Sequence, residues 1–360
     1  MNNSLKLLIV TTQLGNDGAE RVLSLLSNAW TDMGVDVSII QISCNDHKES
    51  YKVNSRIKVI NLDVNVKNRH IRRAIVIKNL IAFFNQNKDA TVLSFINRAI
   101  LTTALCRPFV SNRIVFSERN DPRRSPVAWF TRWMRDEAYC AADACVFQTH
   151  EAMSLFPKRA QKKGTVIINP INPNLPAFWE GQRRNVIVSA GRLTEQKNFP
   201  LLIQAFAEFR LLFQDYKLEI YGQGEDESAL KELVASMNLE ESVRFCGFAP
   251  DLHQRIVDAA MYVSSSDYEG IPNSVLEAMA MGLPTISTDC PVGGPREIIK
   301  GENGILVPTG DKEALCAAMV KVARDKDYAL MLSKNARQIQ ERYPIGVIAK
   351  EWLAVLFPNK

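Results

Sequence analysis

Short apolar runs recur along the chain, each bounded by polar loops and most followed by a stretch with apolar residues at helical spacing. In the first half, Leu7–Thr11, Val35–Ile42, Val59–Leu62, Thr91–Phe95, Ile114–Phe116, Ala144–Gln148 and Val166–Ile168 read as strands. In the second, Val186–Ala190, Lys217–Tyr221, Val243–Phe245, Ala259–Val263, Pro284–Thr288 and the segment closing at Val307 do the same. Runs this apolar predict parallel strands covered on both faces, and the rhythm predicts an α/β chain. Three prolines in the stretch 170–176 interrupt the pattern. They place a linker at 171–185, between a Rossmann-like domain over 1–170 and a second over 186–344.

At 360 residues the chain is long enough for two separate cores. The net charge of +5 conceals an asymmetry: residues 1–180 hold 24 Lys/Arg against 15 Asp/Glu, and residues 181–360 hold 20 against 24. A basic first half suggests an anionic partner for that half alone, and nothing suggests nucleic acid. Seven scattered cysteines lack metal spacing and read as reduced packing residues. The start shows no long apolar segment, and no apolar run approaches the roughly 20 residues of a spanning helix. The expectation is a cytoplasmic protein, peripheral on the inner face of the cell membrane.

The chemistry concentrates at Ser264–Gly282. A strand ends there, Gly270 and Pro272 force a tight loop, and Asn273 or Ser274 is suited to cap a helix that Gly282 closes. Strand, glycine loop and helix start gather backbone N–H groups and the helix dipole on a phosphate. Glu269 and Glu277 frame the loop; they would repel a phosphate, so hydroxyl groups are their better partners. Phosphate donors between hydroxyl acceptors suit a sugar nucleotide, while dipole-favoured surface charges are the plain alternative. Earlier, Arg192 and Lys197 share one loop at a strand end, where they form a diphosphate clamp or a pair of surface cations. Gly222 and Gly224 permit close approach of a nucleotide or make an ordinary turn. Ser117–Pro122 is a polar block at the C-terminal end of a strand, where open α/β sheets place ligands. No Asp-x-Asp motif follows a strand, and no metal is expected. Two stretches, 67–84 and 123–135, join arginines and lysines to apolar or aromatic residues, among them Trp129, Phe130, Trp133 and Arg135. Such faces suit an anionic membrane surface, or are solvated faces of core helices.

The motif Glu269-Gly270-Ile271-Pro272-Asn273-Ser274-Val275-Leu276-Glu277 resembles the E-x7-E signature of retaining GT-B glycosyltransferases, in the bacterial group 1 type of family four. Four other blocks resemble the same family. They are Gly18-Ala19-Glu20-Arg21-Val22, where Asp17 replaces a glycine, Ser117-Glu118-Arg119-Asn120-Asp121-Pro122, Gly191–Asn198, and Gly293-Gly294-Pro295-Arg296-Glu297. The resemblance implies a GT-B fold whose last helix, Ile345–Leu356, crosses back to complete the first domain. It implies that Glu277 holds ribose hydroxyls and Glu269 meets the transferred sugar, with Arg192 and Lys197 neutralising the leaving diphosphate. It implies donor contacts at Gly18, Gly222, Gly224, Gly270, Ile271, Pro272, Asn273 and Ser274. Acceptor or sugar contacts fall on Glu118, Arg119, Asn120, His150, Gly293, Gly294 and Arg296, with Arg119 where many relatives carry a histidine; a structural Glu118–Arg119 ion pair is the competing reading.

The expected activity is retaining, metal-independent transfer of a hexose or N-acetylhexosamine, N-acetylgalactosamine first, from a UDP-sugar. The acceptor is a polyprenyl-diphosphate-linked glycan in O-antigen, capsule or related polysaccharide assembly. The alternatives are a GT-B-shaped UDP-sugar 2-epimerase, a GDP-mannose-dependent mannosyltransferase, or a non-catalytic nucleotide-sugar binder.

Overall fold

A computed structural model describes residues 5–15, 18–43 and 51–358. The chain divides into two compact units, Met1–Pro170 with Ile345–Lys360, and Ile171–Pro344. The first unit is built on seven strands: β1 Lys6–Thr11, β2 Asp36–Gln41, β3 Lys58–Asn61, β4 Thr91–Ser94, β5 Ile114–Ser117, β6 Ala144–Phe147 and β7 Gly164–Val166. They pair in the order β3-β2-β1-β4-β5-β6-β7, all parallel. β7 begins two residues before the apolar run at Val166–Ile168, because the register Cys145↔Gly164 with β6 decides pairing and hydrophobicity does not.

One face of this sheet is covered by the helices Arg69–Gln86, Asn97–Cys106 and Trp129–Ala141. Leu8, Val10, Val92, Ile114, Phe116, Tyr139 and Phe147 belong to the buried cluster of that side. Elsewhere in the unit the helix Gly18–Asp32 meets the last helix, Ile345–Leu356. Trp352 stacks on Phe95, with centroids 5.5 Å apart, and meets Trp30 edge-on at 6.1 Å. Trp30 Nε1 donates to the Ala349 carbonyl at 3.0 Å, so the indole satisfies its polar edge while burying its face. The last helix is therefore a core element of the first unit.

The second unit carries β8 Arg184–Ala190, β9 Lys217–Tyr221, β10 Val243–Gly247, β11 Ala259–Ser264, β12 Thr285–Thr288 and β13 Ile305–Val307. Their order is β10-β9-β8-β11-β12-β13, again all parallel. That is the doubly wound order, in which chain direction across the sheet reverses between β8 and β11, and the crevice beyond their C-terminal ends is where such sheets bind ligands. Residues 171–185 pack onto this unit. Ile171 bridges to Pro344, and Arg183 donates to the carbonyls of Val257, Ala259 and Gly282 at 2.8–3.0 Å. No helix among the described residues is long and apolar enough to cross a membrane.

Trp352→Ala removes the shared wall of Trp30 and Phe95. It should cost about 3–5 kcal/mol of the first unit's stability, seen as a lower urea midpoint in near-ultraviolet circular dichroism.

Candidate functional site

β8 ends at Ala190, whose backbone is pinned on both sides by one hydroxyl. Tyr262 Oη donates to the Ala190 carbonyl at 3.0 Å and accepts from its N–H at 3.2 Å. The chain then runs through Gly191–Lys197 to Asn198, which adopts φ +44° and caps the helix Phe199–Arg210 by accepting from Leu201 N at 3.2 Å. Asparagine tolerates the left-handed region and supplies the capping oxygen, so one residue makes both the turn and the helix start.

The loop after β11 is sewn to this one. Asn198 Nδ2 donates to Asp267 Oδ1 at 2.9 Å, Asp267 N to the Gln196 carbonyl at 2.9 Å, and Ser265 Oγ to the Lys197 carbonyl at 2.9 Å. Gln196 Nε2 donates to the Tyr268 carbonyl at 2.9 Å. Between the two loops Lys197 Nζ is paired with Glu269 Oε1, which also accepts from Ser266 Oγ at 2.9 Å. Only 18% of the lysine side chain and 10% of the glutamate side chain reach solvent, so the pair is held in a shallow, weakly screened setting. Arg192, from the same loop, lies exposed beside it in sequence.

Two glycine pairs set how closely these loops approach. A Cβ on Gly222 would fall 1.9 Å from the Gly191 carbonyl oxygen, and one on Gly224 2.1 Å from that of Leu193. The space these glycines open is thus occupied by the backbone of the Arg192 loop. A Cβ on Gly294 would lie 1.7 Å from the Gly270 carbonyl oxygen, so Gly293-Gly294 buttresses the Gly270 loop. Arg296 forms a two-pronged pair with Asp289 at 2.8 and 3.0 Å.

The helix Asn273–Ala280 starts after Pro272, and no side chain caps it; Asn273 and Ser274 are its first residues, not the cap. Fixed φ at Pro272 replaces the side-chain cap as the device that turns the chain. Ile271 is 5% exposed and Glu277 4%. One turn in, Glu277 Oε2 meets His253 Nε2 at 3.0 Å. His253, from the helix Leu252–Ile256, carries no motif or spacing that would single it out, and the sequence reading does not contain it.

In the first unit the Ser117–Pro122 block leaves β5 as a compact turn. Glu118 Oε1 accepts from the N–H groups of Arg119 at 3.0 Å and Asn120 at 3.1 Å, and Asn120 Oδ1 from that of Asp121 at 2.9 Å. Arg119 turns to Asn169 Oδ1 and lies over the rings of Phe95, 5.1 Å away, and Trp352, 5.9 Å away. An ion pair with Glu118 is therefore not its anchor. Burial pushes the Glu118 carboxyl up to about 7, against a smaller pull from Arg135. Burial also draws the Arg119 guanidinium down to about 9, which leaves it a cation at neutral pH. Gly18 opens the first helix, Asp17 lies outside the described residues, and His150 is exposed at the start of the short helix His150–Ser154.

The stretch 123–135 needs one correction. Arg135 is 3% exposed, paired with Asp136 at 2.8 Å, and donates to the carbonyls of Pro122 at 2.6 Å and Ser125 at 3.0 Å. It anchors the preceding loop and is no part of a surface. Val127, Trp129, Phe130 and Trp133 are 82, 76, 50 and 55% exposed, a dense apolar cluster for a protein surface. Among the described residues no group of three or more His, Cys, Asp or Glu side chains is placed to hold a metal ion.

Residues 176–339 match the family model "Glycosyl transferases group 1". The amylovoran biosynthesis glycosyltransferase AmsD of Erwinia amylovora is 25% identical, over 98% of this chain and 99% of its own. A Campylobacter jejuni enzyme is 24% identical over 98% of each chain. It is named a GalNAc-alpha-(1->4)-GalNAc-alpha-(1->3)-diNAcBac-PP-undecaprenol alpha-1,4-N-acetyl-D-galactosaminyltransferase. Among solved structures, Anabaena Alr3699/HepE in complex with UDP and glucose superposes with a TM-score of 0.80 at 15% identity, over 98% of this chain and 99% of that one. Two doubly wound units of this kind make the GT-B fold. Residues 176–339 thus form a group 1 glycosyltransferase domain, and the Erwinia and Campylobacter relatives, which match along nearly the full chain, are both glycosyltransferases.

Two variants test the geometry. Gly222→Ala, with φ +133° and a backbone oxygen in the way, should cost about 1–3 kcal/mol or more. Gly310→Ala, with φ +74° and open space, should cost only about 1–2 kcal/mol of left-handed strain; urea titration of both reads the difference. For Glu118 the folded value lies above the ordinary 4.5, so the folded chain keeps a proton that the unfolded chain sheds. Its stabilising contribution is then full below about 4.5 and is lost as pH rises through about 7. Glu118→Gln should gain stability relative to the parent between pH 5 and pH 8, on the order of 2–3 kcal/mol, in denaturation curves taken at the two values.

Proposed function

We propose that this chain transfers a hexose or N-acetylhexosamine, N-acetylgalactosamine first, from a UDP-sugar to a polyprenyl-diphosphate-linked glycan. The place is O-antigen, capsule or related surface-polysaccharide assembly. The observation that carries the reading is the Lys197–Glu269 pair with Glu277 one turn into the next helix, set beyond β8 and β11 where chain direction reverses. The lipid-linked acceptor of the Campylobacter relative and the UDP bound in the Anabaena structure support the acceptor class and the nucleotide.

In this reading the second unit takes the donor and the first the acceptor. The diphosphate competes with Glu269 for Lys197, and Arg192 joins from the same loop. Glu269 is released to accept from hydroxyls of the sugar, and Glu277 from those of the ribose. The bond between the anomeric carbon and the diphosphate oxygen breaks, and a bond to the acceptor oxygen forms on the same face, with retention. The acceptor proton passes to the departing diphosphate oxygen, whose charge Arg192 and Lys197 stabilise in place of a divalent metal. Ile271, Asn273, Ser274 and the Gly270 amide border the diphosphate. Glu118, Arg119, Asn120, His150, Gly293, Gly294 and Arg296 stand as acceptor-side or sugar-side residues. Val127, Trp129, Phe130 and Trp133, flanked by Arg123, Arg124 and Arg132, would rest on the anionic inner face of the membrane, beside the helix Arg69–Gln86.

Turnover of a panel of UDP- and GDP-sugars on bacterial lipid-linked acceptor, with chelator present, tests this. UDP release matched by labelled lipid, retained in chelator, is the expected result. Lys197→Ala should cut kcat by about 100-fold or more while far-ultraviolet circular dichroism shows the chain still folded. An altered but intact nucleotide sugar would mark an epimerase, and turnover of GDP-mannose alone a mannosyltransferase.

A further inference from the structure

Glu277 does not stand by itself. Its Oε2 is 3.0 Å from His253 Nε2, and only 5% and 13% of the two side chains are exposed. A carboxylate can only accept here, so the imidazole N–H is the donor. The contact joins two separate elements of the second unit. His253 lies on the short helix Leu252–Ile256 between β10 and β11, and Glu277 on the helix that follows β11. A glutamate has three side-chain torsions, and in a helix it loses little by leaving them mobile. Burial with a hydrogen bond to one oxygen removes that freedom and fixes the plane of the carboxylate.

We propose that His253 is a positioning residue for nucleotide recognition, holding Glu277 by Oε2 so that its carboxylate receives the hydroxyls of a ribose. The inference rests on the reading of Glu277 given above and adds to it the residue that sets its geometry. A ribose presents two adjacent donors, and a carboxylate locked in one plane meets them without first paying the entropy of ordering its own chain. The imidazole reaches the ribose only through Glu277. Its effect therefore depends on the hydroxyls being present.

Calorimetric titration of the full chain with UDP and with 2′,3′-dideoxy-UDP separates the possibilities. The unaltered protein should bind UDP at least tenfold more tightly. His253→Ala should lose about tenfold for UDP and nothing for the dideoxy nucleotide, so that the preference collapses. His253→Gln, whose side-chain N–H can reach the same oxygen, should restore most of it. If His253→Ala weakens both nucleotides equally, the histidine is only a packing element, and the inference is overturned. It is overturned as well if the variant keeps the full preference. If the unaltered protein binds the two nucleotides alike, or binds neither, the ribose reading of Glu277 fails and takes this one with it. Should His253→Ala fold poorly, His253→Gln and His253→Asn carry the same comparison, since asparagine keeps the polarity and loses the reach.

Discussion

The contact on which the second unit's site depends is the pairing of Lys197 with Glu269 across two loops that leave neighbouring strands. Alone, a lysine–carboxylate pair at a surface contributes little. Here it is drawn largely inside, and the backbone around it is stitched by Ser265, Asp267, Gln196 and Asn198. Those ties mean that neither loop can take up its conformation without the other. The glycines at 222, 224 and 294 extend the same constraint outward, because each gives its missing side chain's volume to the backbone of a neighbouring loop. The result is a cation and two carboxylates fixed before any ligand arrives, which is what electrostatic catalysis requires.

The first unit solves a different problem. Glu118 uses one oxygen to fold its own turn, and its other oxygen finds no partner in the protein. Ser117 Oγ, Tyr139 Oη, Trp352 Nε1 and two nitrogens of Arg119 are buried in the same condition. Five residues with unmatched polar atoms, three of them consecutive at the end of β5, are a concentration of cost that a merely structural corner would not keep. The arginine offsets part of its desolvation by lying over Phe95 and Trp352.

Much of this was legible in the sequence, for identifiable reasons. Strands buried on both faces announce themselves by composition, so β9 and the helix Ile345–Leu356 fall where apolar spacing puts them. The Arg192 and Glu269 loops could be placed at strand ends because glycine and proline fix backbone shape locally. What could not be read is what tertiary contact decides. Arg135 sits among surface-like arginines and aromatics in the sequence, yet two carbonyls ten and thirteen residues away draw it inward. β7 takes its start from its partner strand. His253 and Glu277 are twenty-four residues apart with a strand between them, and no local pattern encodes their meeting. The glycines of Gly222-Gln223-Gly224 mark a close approach, as their type suggests, but the approaching group is the chain's own backbone.

The placement of Trp352 has a consequence for how the molecule comes into being. The wall that Phe95 and Trp30 need is supplied by the last helix, and the whole of Ile171–Pro344 is translated before it. On the ribosome the earlier-made unit must wait with an aromatic face unfilled while the later-made one, continuous in sequence, can complete its core. The unit begun first in synthesis is thus the last whose core can be closed.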